Sequence, residues 1–333
     1  MQDYTAIEKE VLTQLQRGVE PVARPFKGLA LPERDVVELL NRASDDGYLR
    51  RFGIIYDARR LGYKSMLCAL DCAEDRRDQK ANIIANYPGV THCYERQPLI
   101  NDTPYPTLWF TFAMLHEQFA VGLDEIRSQI EDENSKLLQL PALRRFKIDV
   151  IFDLQKAKRE ERFPGAPAAT DEDQTEEFRT FSAQERDLVR ATDQQIPLVA
   201  TPFAEVAKQV GQSEEMILDT LRVWKQEGIV RRIAVVLNHR KSGFKANGMC
   251  VWPVEADIAS AGRGVASRPE VTHCYQRPRR KEFPFDLYAM IHTPSWSQTK
   301  ALFRDISSQC DLPNGELFAS LREYKKTSMQ YFR

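Results

Sequence analysis

Fifty consecutive positions of this chain occur twice. Residues 47–96 align without a gap to residues 228–277 at an offset of 181, with 15 identities. They include Arg50/Arg231, Arg51/Arg232, Arg59/Arg240, Gly62/Gly243, Lys64/Lys245 and Pro88/Pro269. The densest match is Val90-Thr91-His92-Cys93-Tyr94-Glu95-Arg96, which returns as Val271-Thr272-His273-Cys274-Tyr275-Gln276-Arg277. A repeat this long is no solenoid unit, whose period runs to only about 20–45 residues. The 333 residues therefore divide into two domain sets of one kind, each of ~150 residues and able to bury its own core.

Composition narrows the class. Hydrophobic residues at 42% and charged residues at 29% describe an ordinary globular protein. No apolar run approaches the ~20 residues that span a bilayer, and the N-terminus lacks the apolar stretch of a signal peptide, so the expected address is the cytoplasm with no membrane partner. Six cysteines (68, 72, 93, 250, 274, 310) form no C-x-x-C pair, which disfavours a disulfide framework or a structural zinc. A formal charge of −1 gives no general pull toward nucleic acid.

Residues 159–177 are rich in Pro, Ala and acidic side chains without an apolar period, the signature of a solvated linker. In the second half, residues 183–190, 202–210 and 213–227 carry helical patterns. Gly211 supplies a turn, Ser213 an N-cap, and Phe203, Val206, Ala207, Val210, Ile217, Leu221 and Trp224 an apolar stripe. This is a winged helix-turn-helix; the first half holds a degenerate one, four residues shorter after the shared Pro-Phe (Pro25-Phe26, Pro202-Phe203). Both halves continue as β-α-β-β-α-β, for which a ferredoxin-like arrangement is the simplest topology. The expected fold class is α+β, with two tandem repeats. Expected boundaries are 1–56 (degenerate winged helix-turn-helix), 57–157 (ferredoxin-like), 158–180 (linker), 181–238 (winged helix-turn-helix) and 239–333 (ferredoxin-like).

Strand alternation places His92, Tyr94 and Arg96 on one face and Thr91, Cys93 and Glu95 on the other, and likewise sets His273, Tyr275 and Arg277 together. Imidazole, phenol and guanidinium at ~7 Å steps make a surface that can deliver a proton and grip a carboxylate. The competing reading is polar packing at a sheet interface; the duplication weighs against it. A second histidine pair, His116 and His292, closes the next strand in each half. Cys93 and Cys274 point away from the neighbouring imidazoles, so no metal site is expected. Basic residues recur at Arg50, Arg51, Arg231, Arg232, Arg59, Arg240, Lys64 and Lys245, local clusters suited to a compact polyanion.

These residues resemble the siroheme decarboxylases, which are similar to Lrp/AsnC-type transcription factors in architecture. The resemblance rests on Ile229-Val230-Arg231-Arg232-Ile233, Gly243-Phe244-Lys245, the His273 heptapeptide and the run from Phe283 to His292. In the first half it rests on Leu49-Arg50-Arg51-Phe52, Leu61-Gly62-Tyr63-Lys64, His92-Cys93-Tyr94-Glu95-Arg96 and Leu108-Trp109-Phe110-Thr111-Phe112. The family commonly works as two related subunits, and this chain looks like the two fused, with intramolecular pairing of the halves and room for a homodimer. The resemblance implies removal of carbon dioxide from two acetate arms of siroheme. His273 and His92 would be proton donors, Tyr275 and Tyr94 their assistants, and His292 and His116 further catalytic candidates. Arg277, Arg96, Arg231, Arg232, Arg50, Arg51, Arg240, Arg59, Lys245 and Lys64 would bind carboxylates. No cofactor would be required beyond the iron tetrapyrrole substrate, whose macrocycle absorbs the electron pair.

Two rival functions share the fold. A DNA-binding regulator is disfavoured because its recognition helix opens Ser213-Glu214-Glu215-Met216, and the first-half equivalent Pro32-Glu33-Arg34-Asp35. Base-reading helices favour Arg, Lys, Asn or Gln there. A tetrapyrrole sensor without catalysis is the other.

Overall fold

Phe26 and Phe203, the partners of the shared Pro-Phe pair, are both fully buried, yet only one of them sits on a helix. In the computed structural model, which describes residues 4–101, 103–148, 170–171, 179–238 and 244–333, the first half opens with α1 (Ala6–Arg17) and α2 (Glu33–Asp45). Thr5 and Glu8 close a reciprocal capping box at the start of α1, fixing its entry. Between the two helices Gly28 takes φ +86° and Pro32 stands immediately before α2. A left-handed glycine and a proline four residues later leave no room for a middle helix.

The chain continues with β1 (Leu49–Tyr56), β2 (Tyr63–Leu70), α3 (Glu74–Asn86), β3 (Val90–Pro98), β4 (Leu108–Leu115) and α4 (His116–Ile130). Then come β5 (Leu137–Leu140), β6 (Arg144–Ile148) and the two-residue β7 (Thr170–Asp171). Most of the expected linker lies outside the described residues. The second half supplies α5 (Ala183–Thr192), α6 (Pro202–Val210), α7 (Glu214–Gln226), β8 (Val230–Leu237) and β9 (Ala246–Trp252). It ends with α8 (Ile258–Ala266), β10 (Val271–Gln276), β11 (Leu287–Thr293), α9 (Trp296–Gln309) and β12 (Glu316–Lys326). Here the helix-turn-helix is complete: Pro202 starts α6, Gly211 ends it at φ +67°, and Ser213 caps α7.

The wings of the two halves pair with each other. β1 and β8 form an antiparallel ribbon from Leu49↔Leu237 to Tyr56↔Val230. Below it, ten of the described strands form one sheet in the order β5-β2-β4-β3-β12-β9-β11-β10-β6-β7. Each ferredoxin-like unit is present with its closing strand at home, β5 beside β2 and β12 beside β9, but the chain beyond it crosses to the other half. β12 leaves β9 after Ala319 and runs along β3 of the first half, while β6 of the first half pairs with β10 of the second. β5 and β6 therefore lie near opposite ends of the sheet although only residues 141–143 join them. The sheet curls so that its ends approach each other: past β10, Arg277 Nη1 donates to the Leu140 carbonyl of β5 at 2.5 Å, and Leu143 N–H extends the β6–β10 ladder by donating to the Gln276 carbonyl at 2.9 Å.

Helices cover the outside of this curled sheet. Ala81 and Ile84 of α3 with Leu123 and Ile126 of α4 pack on Cys68, Cys93, Phe110 and Phe112. Val265 of α8 with Phe303 and Ile306 of α9 pack on Cys250, Cys274, Leu287 and Ile291. The opposite, inner face holds Ala69, Trp109, Leu140, Met249, Val251, Tyr288 and Phe318, plugged at the hairpin tips by Phe283 and Phe285.

Candidate functional site

Both histidine segments carry the same irregularity. In β3 a bulge falls between Val90 and His92, and in β10 between Val271 and His273. The extra residue is Thr91 or Thr272, whose hydroxyl meets the histidine Nδ1 at 3.0 or 2.8 Å. Strict alternation would put Val90, His92 and Tyr94 on one face. The bulge instead lets Val90 and Cys93 both enter the helix-covered core while His92, Tyr94 and Arg96 turn inward. Glu95 goes outward to Arg77 of α3 at 2.7 Å. The expected grouping of each His-Tyr-Arg set on one face is what the register gives; Thr91 and Thr272 belong to the bulges rather than to the opposite face. Both histidines lie at the end of the curled sheet nearest the β1–β8 ribbon, and the arginines lie deeper.

In the first-half triad the His92 and Tyr94 rings are 6.1 Å apart and the Arg96 guanidinium stands 5.3 Å over the Tyr94 ring. Burial first, then the positive charges of Lys326, Arg50 and Arg96, push the His92 pKa from 6.5 to about 4. Unliganded, this imidazole is neutral at neutral pH, so an imidazolium waiting there to donate is not its resting state. Arg96 is only 6% exposed, and burial pulls it from 12.5 to about 10. Its Nε and Nη1 have no partner among the described residues. A buried guanidinium with idle donors is costly, and an entering carboxylate would satisfy it.

The second-half triad is partly buried. Arg277 stacks 4.9 Å over Tyr275 and 5.6 Å from the Tyr288 ring centre, and its Nη1 donates to the Leu140 carbonyl at 2.5 Å. Opposite Tyr275 sits Arg145 of β6. Arg231, from β8, donates to Asp57 Oδ2 through Nε (3.1 Å) and Nη2 (2.7 Å). Burial opposes the Asp57 charge, but Arg231, Arg59 and Arg145 outweigh it and hold the carboxyl below its usual range.

Other expected site residues scatter. His292 is partly buried on the inner-face register of β11, opposite Asn247 and two residues beyond Met290, the partner of His273. His116 is instead the exposed first residue of α4, because β4 ends at Leu115. Arg51 turns into the helix layer, where burial and Arg50 lower its pKa and its Nη1 reaches the Ile54 and Gln194 carbonyls at 3.4 and 3.5 Å. Arg232 is partly buried on the ribbon, Arg50 is exposed but close enough to act on His92, and Lys64 and Lys245 are exposed. Arg240 lies outside the described residues. Sequence reasoning missed Arg145 and Lys326, which reach the triads because closing strands cross between halves, and Asp57, which follows β1 and meets Arg231 because the wings pair. Cys93 lies outward, its thiol pushed by burial up to about 12. A cavity of about 580 Å³ opens at the hairpin-tip end beside Tyr105, Arg279 and Phe285, away from both histidines.

Comparison with known proteins fits this duplicated architecture. An AsnC-like ligand binding domain matches residues 60–147 and again 241–325, and a siroheme decarboxylase NirDL-like HTH domain matches residues 185–231. The siroheme decarboxylase of Hydrogenobacter thermophilus is 34% identical over 331 residues, covering 97% of this chain and 94% of that protein. The siroheme decarboxylase beta subunit of Methanosarcina barkeri is 36% identical over 144 residues, 43% of this chain but 95% of its own length. The crystal structure of the siroheme decarboxylase NirDL in complex with an iron-uroporphyrin III analogue superposes with a TM-score of 0.71 at 30% identity. It covers 98% of this chain and 95% of that one.

Proposed function

This chain belongs to the siroheme decarboxylases, and on that premise we propose that it is a carbon–carbon lyase acting at the mouth of the curled sheet, beneath the β1–β8 ribbon. The observation that carries the reading is the pair of inward His-Tyr-Arg triads, each turned by the same bulge, with a buried guanidinium at Arg96 whose donors stand idle.

The substrate is siroheme, an apolar macrocycle with acidic arms. Breaking the bond between an acetate methylene and its carboxyl carbon releases carbon dioxide and leaves an electron pair beside the ring. The conjugated macrocycle absorbs that pair, so no further organic cofactor enters. A proton delivered to the methylene carbon completes the methyl group, and two such events give didecarboxysiroheme. His273 and His92 supply the protons, with Tyr275 and Tyr94 beside them. Arg277, Arg96, Arg231 and Arg50 hold carboxylates that do not react. The substrate's own negative charge offsets Lys326, Arg50 and Arg96, which lets His92 take up the proton it refuses in the empty site.

The helix-turn-helix serves as a platform and not as a DNA reader. Its α7 helix presents Glu214 and Glu215 in the first turn, where phosphates would be repelled. The chain works in the cytoplasm, the fused halves taking the place of separate subunits. Incubation with siroheme, followed by mass spectrometry for successive losses of carbon dioxide, tests the reading. His273→Ala and His92→Ala are expected to slow turnover by tenfold or more, equivalent to about 1.4 kcal/mol of barrier. If neither does, the histidines are not the acids.

A further inference from the structure

Among the described residues, the densest charge cluster outside the triads gathers around Asp57. Its Oδ2 accepts from Arg231, while Oδ1 accepts the Arg59 backbone N–H at 3.0 Å with the Arg59 Nε at 3.8 Å. Arg145 Nη1 comes only to 3.7 Å of Oδ2, and this guanidinium, 9% exposed, makes no hydrogen bond among the described residues. Among the described residues Arg145 and Arg231 share this carboxylate, and Arg231 holds it, so the buried Arg145 guanidinium is left with its donors unmatched. Such a group is costly unless an anion completes it.

The position of the cluster is specific. Arg145 is the cross-strand neighbour of Tyr275, so it borders the second-half triad. In the first half the place opposite Tyr94 belongs to Glu323, an exposed residue of the other sign. The cluster therefore occurs once, on one side of a near-twofold frame.

We propose that Arg145, with Arg59 and Arg231, forms a subsite for one side-chain carboxylate of the tetrapyrrole, and that Asp57 is its resident counter-ion. Asp57 orients Arg231 and Arg59 before substrate arrives. The entering carboxylate then takes the Arg145 donors that no acceptor among the described residues uses. This deepens the decarboxylase reading and rests on it for the identity of the ligand.

Iron-uroporphyrin III, which bears carboxylates but need not react, is the probe, titrated by absorbance into the full-length chain. Arg145→Gln is expected to weaken binding by about tenfold or more, the worth of roughly one charge-assisted hydrogen bond, with the melting temperature unchanged or raised. Arg145→Lys, which keeps the charge but loses the fork, is expected to recover only part of that loss and guards against a misfolded first variant. Asp57→Asn is expected to bind the porphyrin at least as tightly as the wild type. A smaller loss in both Arg145 variants overturns the subsite, and weaker binding by Asp57→Asn overturns the counter-ion role. Wild-type protein that binds the porphyrin yet leaves siroheme intact would sink the decarboxylase reading instead, with the subsite still standing.

Discussion

His92 is held in the form least suited to an acid. Because its folded pKa of about 4 lies below the ordinary 6.5, the unfolded chain binds a proton that the folded chain refuses. Stability of the empty protein is therefore complete above pH 6.5 and falls as pH drops through the window toward 4, by up to about 3 kcal/mol. His92→Gln is expected to flatten that slope in pH-dependent denaturation. The same residue is expected to split the kinetic profiles. A donor must be protonated, so His92 sets the limb on which activity falls as pH rises; in kcat/KM that limb reports the empty site and in kcat the loaded one, so the kcat limb lies at higher pH. Coincident limbs in the wild type would mean that substrate does not relieve the cations around His92. At this scale the sequence was informative where period-two alternation suffices, as in the His-Tyr-Arg sets. It was silent on the threonine bulges, which have no composition signal of their own. Arg145 and Lys326 escaped notice because their partners lie far away along the chain.

Among elements, the crossed closing strands do the most to define the site, and they were the least legible. β5–β6 and β12 match a closing strand in pattern, but pattern does not say which sheet edge a strand will join. By contrast, the capped helices and the loss of the middle helix in the first half follow from local residues, Gly28 and Pro32 among them. Glu316, at the start of β12, shows how the crossing is fastened. Fully buried, its carboxylate accepts from the backbone N–H groups of Leu99 (3.2 Å), Ile100 (2.9 Å) and Asn101 (3.0 Å) at the first-half hairpin tip, and from the Asn101 side chain (3.0 Å). Glu316→Gln replaces an acceptor by a donor facing those N–H groups. The expected cost is roughly 2–3 kcal/mol, read as a lower denaturant midpoint, with faster amide exchange at residues 99–101. An unchanged midpoint would show that the tip is fastened elsewhere.

Across the whole molecule, β1–β8, β3–β12 and β6–β10 all join one half to the other. Each half holds four strands of its own, and only together do they build the curled sheet. Residues 1–157 and 181–333 expressed separately are expected to expose apolar edges and bind a hydrophobic dye, whereas co-expression restores a compact complex that takes up iron-uroporphyrin III. A single half that purifies as a compact monomer would contradict the interlocked topology. The duplication announced two like units from the sequence, and their number and order followed. Their entanglement did not, since strand exchange leaves every local pattern intact.

Covalent fusion frees the two copies to diverge. In an assembly of identical subunits, any substitution is stamped on both flanks of the axis. Here Arg145 confronts one tyrosine and Glu323 the other, so the left and right walls can be drafted separately. A guest whose rim differs from quadrant to quadrant can then be seated in a single orientation, which a vessel with two identical walls could never enforce.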